Sequence, residues 1–256
     1  MKKNICKITY ISNAGVLITL GDKKILIDGL CDSETPMFKN PPSDLKKKIV
    51  ANMPPFDNID IMLFTHHHSD HFDPISITEF RKQNKHTAIL VNHEAIRKLD
   101  SLLTGYEFPK CIKCDIPLGS REYLHVHGIN IEAISLLHDG KEYEDVQNIA
   151  YLIEAGKNTI LHVGDAKPTA ENYLNLNLTK KNIDLLIAPF PYIGLPSGRR
   201  VIEKYIKPKM IMPVHFPHKE LDNGGWISAT KKSHMMVKET FIETIFLEKI
   251  GDSIHI

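Results

Sequence analysis

Apolar residues along this chain come in short runs that stop abruptly at polar punctuation, a pattern that predicts many short strands and fewer helices. Residues 4–28 predict two or three strands. Ile5, Ile8 and Tyr10 precede a Ser12-Asn13-Ala14-Gly15 break, and Val16 to Leu20 then meet Lys24 to Ile27 across Gly21-Asp22, a tight hairpin signal. Asp28-Gly29 closes this meander, and Asp28 is expected to be a buried supporting or turn residue rather than a ligand. Asp60 to Phe64 predicts a buried strand. Further strands are predicted at Thr87–Val91, Ile129–Leu137, Ile149–Glu154, Thr159–Val163, Ile183–Ala188 and Lys209–Val214, with a last one near Phe241–Leu247. Helices are predicted at Asp44–Ala51 and from Pro74 through Arg81, with proline in the first turn where its missing N–H does no harm. Others follow at His93–Leu103, at Ser197–Lys207 with Ser197 as N-cap, and near Ala229–Lys238.

Each half of the chain is β-rich and then alternates β with α. Helices must cover the outer faces of two such sheets while the inner faces bury each other. No linker or low-complexity segment separates the halves, so residues 1–256 are expected to form a single domain. Residues 30–56 interrupt the rhythm with Pro36, Pro41, Pro42, Pro54 and Pro55 among Met37, Phe38, Met53 and Phe56. A connection this long is either a lid over a functional site or a surface excursion with a small core of its own.

Composition narrows the partners. The 32 basic and 31 acidic residues leave a net charge of +1, so bulk charge lends no support to a nucleic-acid role. No run approaches membrane-spanning length. The Met1-Lys2-Lys3 start lacks the continuous apolar stretch of an export signal. Cys111 and Cys114 form one C-x-x-C with no second pair to complete a zinc ribbon. Free thiols in a reducing compartment are expected, and with them a cytoplasmic protein acting on a small molecule.

The candidate chemistry is concentrated in one loop. The strand ending at Phe64 runs into Thr65-His66-His67-His68-Ser69-Asp70-His71, in which His66, His68, Asp70 and His71 form the pattern H-x-H-x-D-H. The carboxyl end of a strand is where open α/β sheets tend to place their sites. An expression tag or a solvated loop can also be histidine-rich, but this tract is internal, follows a buried strand and carries a spaced aspartate. Alternate residues His66 and His68 can point the same way from extended backbone, while Asp70 and His71 turn toward a second position. The loop therefore suits two ions, with His67 pointing away. Imidazole and carboxylate donors suit zinc, iron and manganese alike.

This loop is similar to the signature of the metallo-β-lactamase superfamily of metal-dependent hydrolases. An N-terminal meander ending Ile25-Leu26-Ile27-Asp28 is also what that superfamily shows ahead of its histidine loop. The resemblance implies a four-layer αββα sandwich, an α/β (α+β) fold. His138, Asp165 and His215 each stand where an apolar strand stops, and the resemblance implies that they complete the ligand set. His66, His68 and His138 would then hold one divalent ion, Asp70, His71 and His215 the other, and Asp165 would bridge them. Asp70 and His71 are the implied catalytic residues, and zinc is the expected metal, with manganese or iron as alternatives. Two cations about 3.5–4 Å apart can share a hydroxide and clamp attacking and leaving oxygens. His162, three residues before Asp165, is expected to face away. His125 and His127 are expected in solvent.

Within the superfamily, His71 distinguishes the chain from the true β-lactamase group, and His138-Asp139-Gly140-Lys141 from glyoxalase-type thioesterases. The Val163-Gly164-Asp165 and Pro213-Val214-His215 endings look most similar to the ascorbate-phosphate lactonase-like group. The implied function is hydrolysis of a small ester, lactone or phosphoester. A phosphodiesterase or nuclease of the same superfamily, or a non-catalytic metal-binding regulator, is the alternative. Phe190 and Tyr192 are candidates for an apolar wall beside the metals. Arg199 and Arg200, in the first turn of the predicted helix, either bind a substrate anion or are simply solvated.

Overall fold

The computed structural model describes residues 6–102 and 111–256. Ile5 and Leu103, which the sequence pattern assigns to a strand and a helix, lie outside the described residues. The first half supplies β1 (Cys6–Tyr10), β2 (Val16–Leu20), β3 (Lys23–Ile27), α1 (Ser43–Val50), β4 (Ile61–Leu63), α2 (Pro74–Gln83), β5 (Ala88–Val91), α3 (His93–Asp100) and β6 (Ile112–Lys113). The second supplies β7 (Arg121–Val126), β8 (Ile129–Leu137), β9 (Gln147–Ala155), β10 (Asn158–His162), α4 (Ala170–Tyr173), β11 (Leu185–Pro189), α5 (Pro191–Gly194) and α6 (Pro196–Val201). It continues with β12 (Met210–Val214), α7 (Trp226–Met235), β13 (Glu243–Thr244) and β14 (Ser253–His255).

These strands form two seven-stranded sheets, ordered β14-β1-β2-β3-β4-β5-β6 and β13-β12-β11-β10-β9-β8-β7. Alternation along each strand decides the layers. In β2 and β3, Val16, Ile18, Ile25 and Ile27 enter the core between the sheets, while Leu17 and Leu26 face the helices outside. In β9, Ile149, Tyr151 and Ile153 face inward and Ala150 and Leu152 outward. The central strands of each sheet are covered on both faces, which is why they read as nearly unbroken apolar runs, while the edge strand β7 stays largely exposed. Parallel pairing requires crossovers. The pairs β3–β4, β4–β5 and β5–β6 are parallel and enclose α1, α2 and α3. The pairs β10–β11, β11–β12 and β12–β13 are parallel and enclose α4, α5 with α6, and α7. The result is the αββα sandwich.

Several sequence expectations need correction. The helix expected at Ser197–Lys207 is present as α6 running directly into a π-helical turn at Ile202–Ile206, with a separate short α5 ahead of it. Pro191 and Pro196 each start a new helix, so α6 begins one residue before Ser197, and its N-cap residue is Leu195, without a side-chain cap. The helix near Ala229–Lys238 begins earlier, at Trp226, because Asp222 receives the N–H groups of Trp226 and Ile227 at 2.8 Å each. The strand near Phe241–Leu247 shrinks to Glu243–Thr244. Strand β14, which pairs antiparallel with β1, was not foreseen.

Residues 30–56 divide by environment. Ile49 of α1 and Phe56 pack into the outer core with Phe72, Ile77 and Phe80. Asp32 and Glu34 are instead tied to the histidine loop, by Asp32 N–H to the Ser69 carbonyl at 2.8 Å and Glu34 N–H to Ser69 Oγ at 3.2 Å.

Candidate metal centre

Strands β10 and β12 run parallel to β11, and β8 is antiparallel to β9, which is antiparallel to β10. The carboxyl ends of β8, β10 and β12 therefore lie on one edge of their sheet, carrying His138, Asp165 and His215. The loop after β4 meets that edge from the opposite sheet, joined to it by the Ile149 N–H donated to the Thr65 carbonyl at 2.8 Å. The fold thus brings four side chains of one loop together with three that are far apart in sequence.

They form two adjoining groups. His66, His68 and His138 present ring nitrogens to one another, with His66 Nε2 3.1 Å from His68 Nδ1 and 3.3 Å from His138 Nε2. Donors about 2.0–2.1 Å from one tetrahedral ion stand roughly 3.3 Å apart, so this spacing fits coordination. Asp70, His71, Asp165 and His215 make the second group. Asp165 Oδ2 lies 3.0 Å from His215 Nε2 and 3.3 Å from His71 Nε2, and also 3.8 Å and 3.9 Å from the Nε2 atoms of His138 and His66. His71 Nε2 and Asp165 Oδ1 are buried without a hydrogen-bond partner among the described residues. Unpaired buried polar atoms are costly, and here they point to a ligand that the donor set is built to receive.

The surrounding hydrogen bonds fix which nitrogen each ring offers. Asp28 accepts from Thr65 N–H (2.9 Å), Thr65 Oγ1 (2.7 Å) and His71 Nδ1 (2.8 Å), so that Nε2 is the nitrogen His71 turns toward Asp165. Thr65 Oγ1 lies 3.1 Å from His66 Nδ1, and the Asp139 carbonyl takes His138 Nδ1, so those rings also present Nε2. Asn13 donates to Asp70 Oδ2 at 2.9 Å, and its carbonyl receives the His215 N–H at 3.0 Å. Asn148 accepts Asp165 N–H at 2.9 Å and donates to the Val163 carbonyl at 3.0 Å. His162 is turned the other way, with Nε2 2.9 Å from the Ala14 carbonyl.

Charge follows the same division. Burial, aided by the neighbouring rings, holds His66 well below the usual histidine range and His68 down at about 4, so both are neutral donors at neutral pH. Burial also opposes charge on His71 and His215, but Asp165 and Asp70 outweigh it, raising His71 well above its ordinary value and His215 to about 9. Burial pushes Asp165 and Asp70 upward, yet the same two rings hold both carboxylates below the usual range.

A cavity of about 990 Å³ opens onto His68, Asp70, His138, Asp165 and His215. The Phe38 ring meets His215 edge-on at 4.5 Å, and Tyr143 stands 4.9 Å from His68 and 5.2 Å from His138. His67 lines the rim, and its carbonyl receives Lys98 Nζ at 2.9 Å. Phe190 lies on the cavity wall. Tyr192 also lines the cavity, although its side chain is fully buried and its hydroxyl is bonded to the Ala166 carbonyl (2.9 Å) and to Tyr173. The two arginines take different places. Arg199 donates to the Ile193 carbonyl (2.6 Å) and Ser233 Oγ (2.9 Å), Arg200 is exposed, and neither lines the cavity. Sequence reasoning missed Asn13, Thr65, Asn148, Tyr143 and Trp226. The only signal any of them carried was a position at a turn or strand end.

An αββα sandwich with a histidine–aspartate cluster along the seam between its sheets defines the metallo-β-lactamase superfamily of metal-dependent hydrolases. The chain belongs to that superfamily: residues 7–215 match the family described as the β-lactamase superfamily domain. UPF0173 metal-dependent hydrolases of Saccharolobus solfataricus and Pyrococcus furiosus are 23% and 25% identical to it over 214 and 217 residues. They cover 83% and 82% of this chain and 85% and 84% of their own. The metallo-β-lactamase fold protein YhfI of Bacillus subtilis shares the fold at a TM-score of 0.65 and 17% identity, covering 98% of this chain and 99% of that one. Among the described residues, no helix is long and apolar enough to cross a membrane.

Proposed function

We propose that the chain is a two-ion hydrolase of a small ester or lactone, in which His66, His68 and His138 hold one ion, Asp70, His71 and His215 the other, and Asp165 touches both. The observation that carries this reading is the position of Asp165 Oδ2, within 3.0–3.9 Å of ring nitrogens from both groups while Oδ1 stays buried and unpaired. When bound, such ions supply Lewis acidity that polarises a carbonyl and lowers the pKa of water toward about 7. The chain supplies position and charge. His66 and His68 contribute neutral donors and His138 a third ring nitrogen, Asp70 and Asp165 contribute negative charge, and Asp28 fixes the His71 ring. The nitrogen and oxygen donor set suits zinc, with manganese and iron as the alternatives. Four unpaired cysteines support work in a reducing compartment, the cytoplasm.

The test is turnover of three substrate types by metal-loaded protein: an aliphatic carboxylic ester, a lactone and a phosphodiester. Chelator-sensitive hydrolysis of the ester or lactone is expected. Turnover of none of them, with metal present, would leave the regulator reading; turnover of the phosphodiester alone would favour the phosphodiesterase.

A further inference from the structure

The cavity is asymmetric in a way the metal groups do not require. One end holds the clustered histidines and aspartates. Away from them the wall is aromatic: Phe190 stacks on Phe216 (5.2 Å between centroids, 21° between planes) and on Trp226 (5.9 Å, 29°). Trp226 is 46% exposed and Leu195 49% exposed, so two large apolar side chains in a cavity wall are left in water. The indole is held in place. Asp222 anchors the backbone N–H of Trp226 at 2.8 Å, and a Cβ added at Gly224 would come within 2.6 Å of the indole Nε1, so that position accepts only glycine without moving the ring. Neither feature serves the metal groups.

Charge around the same cavity excludes one kind of ligand. Glu34, Asp139 and Glu142 lie on its lining, and Lys98 is the one lysine or arginine there among the described residues. Lys98 already donates to the His67 carbonyl. Arg199, the nearest guanidinium by sequence, is committed to Ile193 and Ser233. An anionic group held away from the metals would therefore find on the lining one lysine, already bonded to a carbonyl, and no guanidinium, which disfavours phosphorylated substrates.

We propose that the substrate is an uncharged ester bearing a flat apolar group that stacks on the Phe190–Trp226 wall while its carbonyl reaches the histidine end. The assignment rests on the hydrolase reading for the carbonyl end, but the aromatic subsite stands on its own contacts. Phe190 and Trp226 are specificity residues: ring stacking adds to the apolar area they bury. Cavities of roughly 300–1,000 Å³ enclose molecules of this size.

The experiment compares methyl 3-(2-naphthyl)propanoate with methyl butanoate, esters alike at the reacting carbon and different in the apolar group. Metal-loaded protein is expected to favour the naphthyl ester in kcat/KM by roughly tenfold or more, mainly through KM. Trp226→Ala and Phe190→Leu should each collapse that ratio at unchanged metal content, and the distant exposed Tyr123→Ala should not. In parallel, calorimetry with 3-(2-naphthyl)propanamide, which is not turned over, should show binding that weakens in both variants. The same amide carrying a sulfonate at position 6 of its naphthyl ring, which puts charge away from the metals, should bind more weakly than the uncharged amide. If neither ester is hydrolysed but the amide binds through Trp226, the hydrolase reading fails and the aromatic subsite holds. If both esters are hydrolysed equally, or the ring-sulfonated amide binds best, the subsite proposal is overturned.

Discussion

The hydrogen bonds around Asp28 make the metal groups vulnerable to a change of a single atom. Asp28 is fully buried at φ 47°, a left-handed conformation that asparagine tolerates as readily as aspartate, so Asp28→Asn tests chemistry rather than backbone strain. The amide oxygen can still accept from Thr65 N–H. The new NH₂, however, faces Thr65 Oγ1 and His71 Nδ1, both of which donate to Oδ2 at 2.7 and 2.8 Å. Two charge-assisted bonds are lost, and the His71 ring is no longer held with Nε2 toward Asp165. Loss of a buttress of this kind costs about 10–100-fold in metal affinity, which is roughly 1.4–2.7 kcal/mol. The effect should fall on the Asp70–His71–His215 group and spare His66, His68 and His138. Chelator competition with a colorimetric indicator measures both affinities. The surface substitution Asp57→Asn, which removes only the partly exposed pair with Lys24, is the comparator and should change neither. Affinities within twofold of the parent at both positions would refute the orienting role of Asp28.

Three further outcomes follow from the same contacts. Gly164 has φ +56°, and an added Cβ would meet Asn148 Oδ1 at 2.3 Å and Thr65 Cβ at 2.7 Å, so Gly164→Ala should lower stability by roughly 2–5 kcal/mol in a denaturant titration; a change below about 1 kcal/mol would contradict it. Asp165→Ala should cost far more turnover than Asp139→Ala, since Asp165 touches both groups and Asp139 is exposed; equal losses would remove the bridging assignment. In metal-free protein, His71 and His215 are raised in the fold, so the stability they add is complete below about pH 6.5 and is lost as pH rises through about 9 for His215. The melting temperature of metal-free protein should therefore fall between pH 6.5 and 9, and a rise across that window would reverse the sign of the coupling.

How far the sequence went depended on the range of the interactions. His66, His68, Asp70 and His71 were legible because four polar side chains directly after an apolar run have no structural reason to be there. His138, Asp165 and His215 were each the first polar residue after a buried strand, and the parallel arrangement of β8, β10 and β12 turns those separate stops into one edge. Asn13 and Asn148 were invisible, since an asparagine at a turn or strand start looks the same whether it binds solvent or, as Asn13 does, Asp70 across the fold. The two helix starts at α5 and α6 were written in Pro191 and Pro196, whereas the change from α to π geometry at Ile202 had no signal in the residues around it. Arg199 illustrates the limit most clearly: its charge suggested an anion, and its place in the fold gave it backbone carbonyls instead.

The central claim is that this loop and three strand ends hold two ions. Metal analysis of protein purified without chelator and supplied with zinc, manganese or iron tests it most directly. About two equivalents per chain are expected, falling to about one in His68→Ala and in His215→Ala, each variant emptying a different group. Parent protein that binds less than about one equivalent of every metal, while folded by circular dichroism, would contradict it.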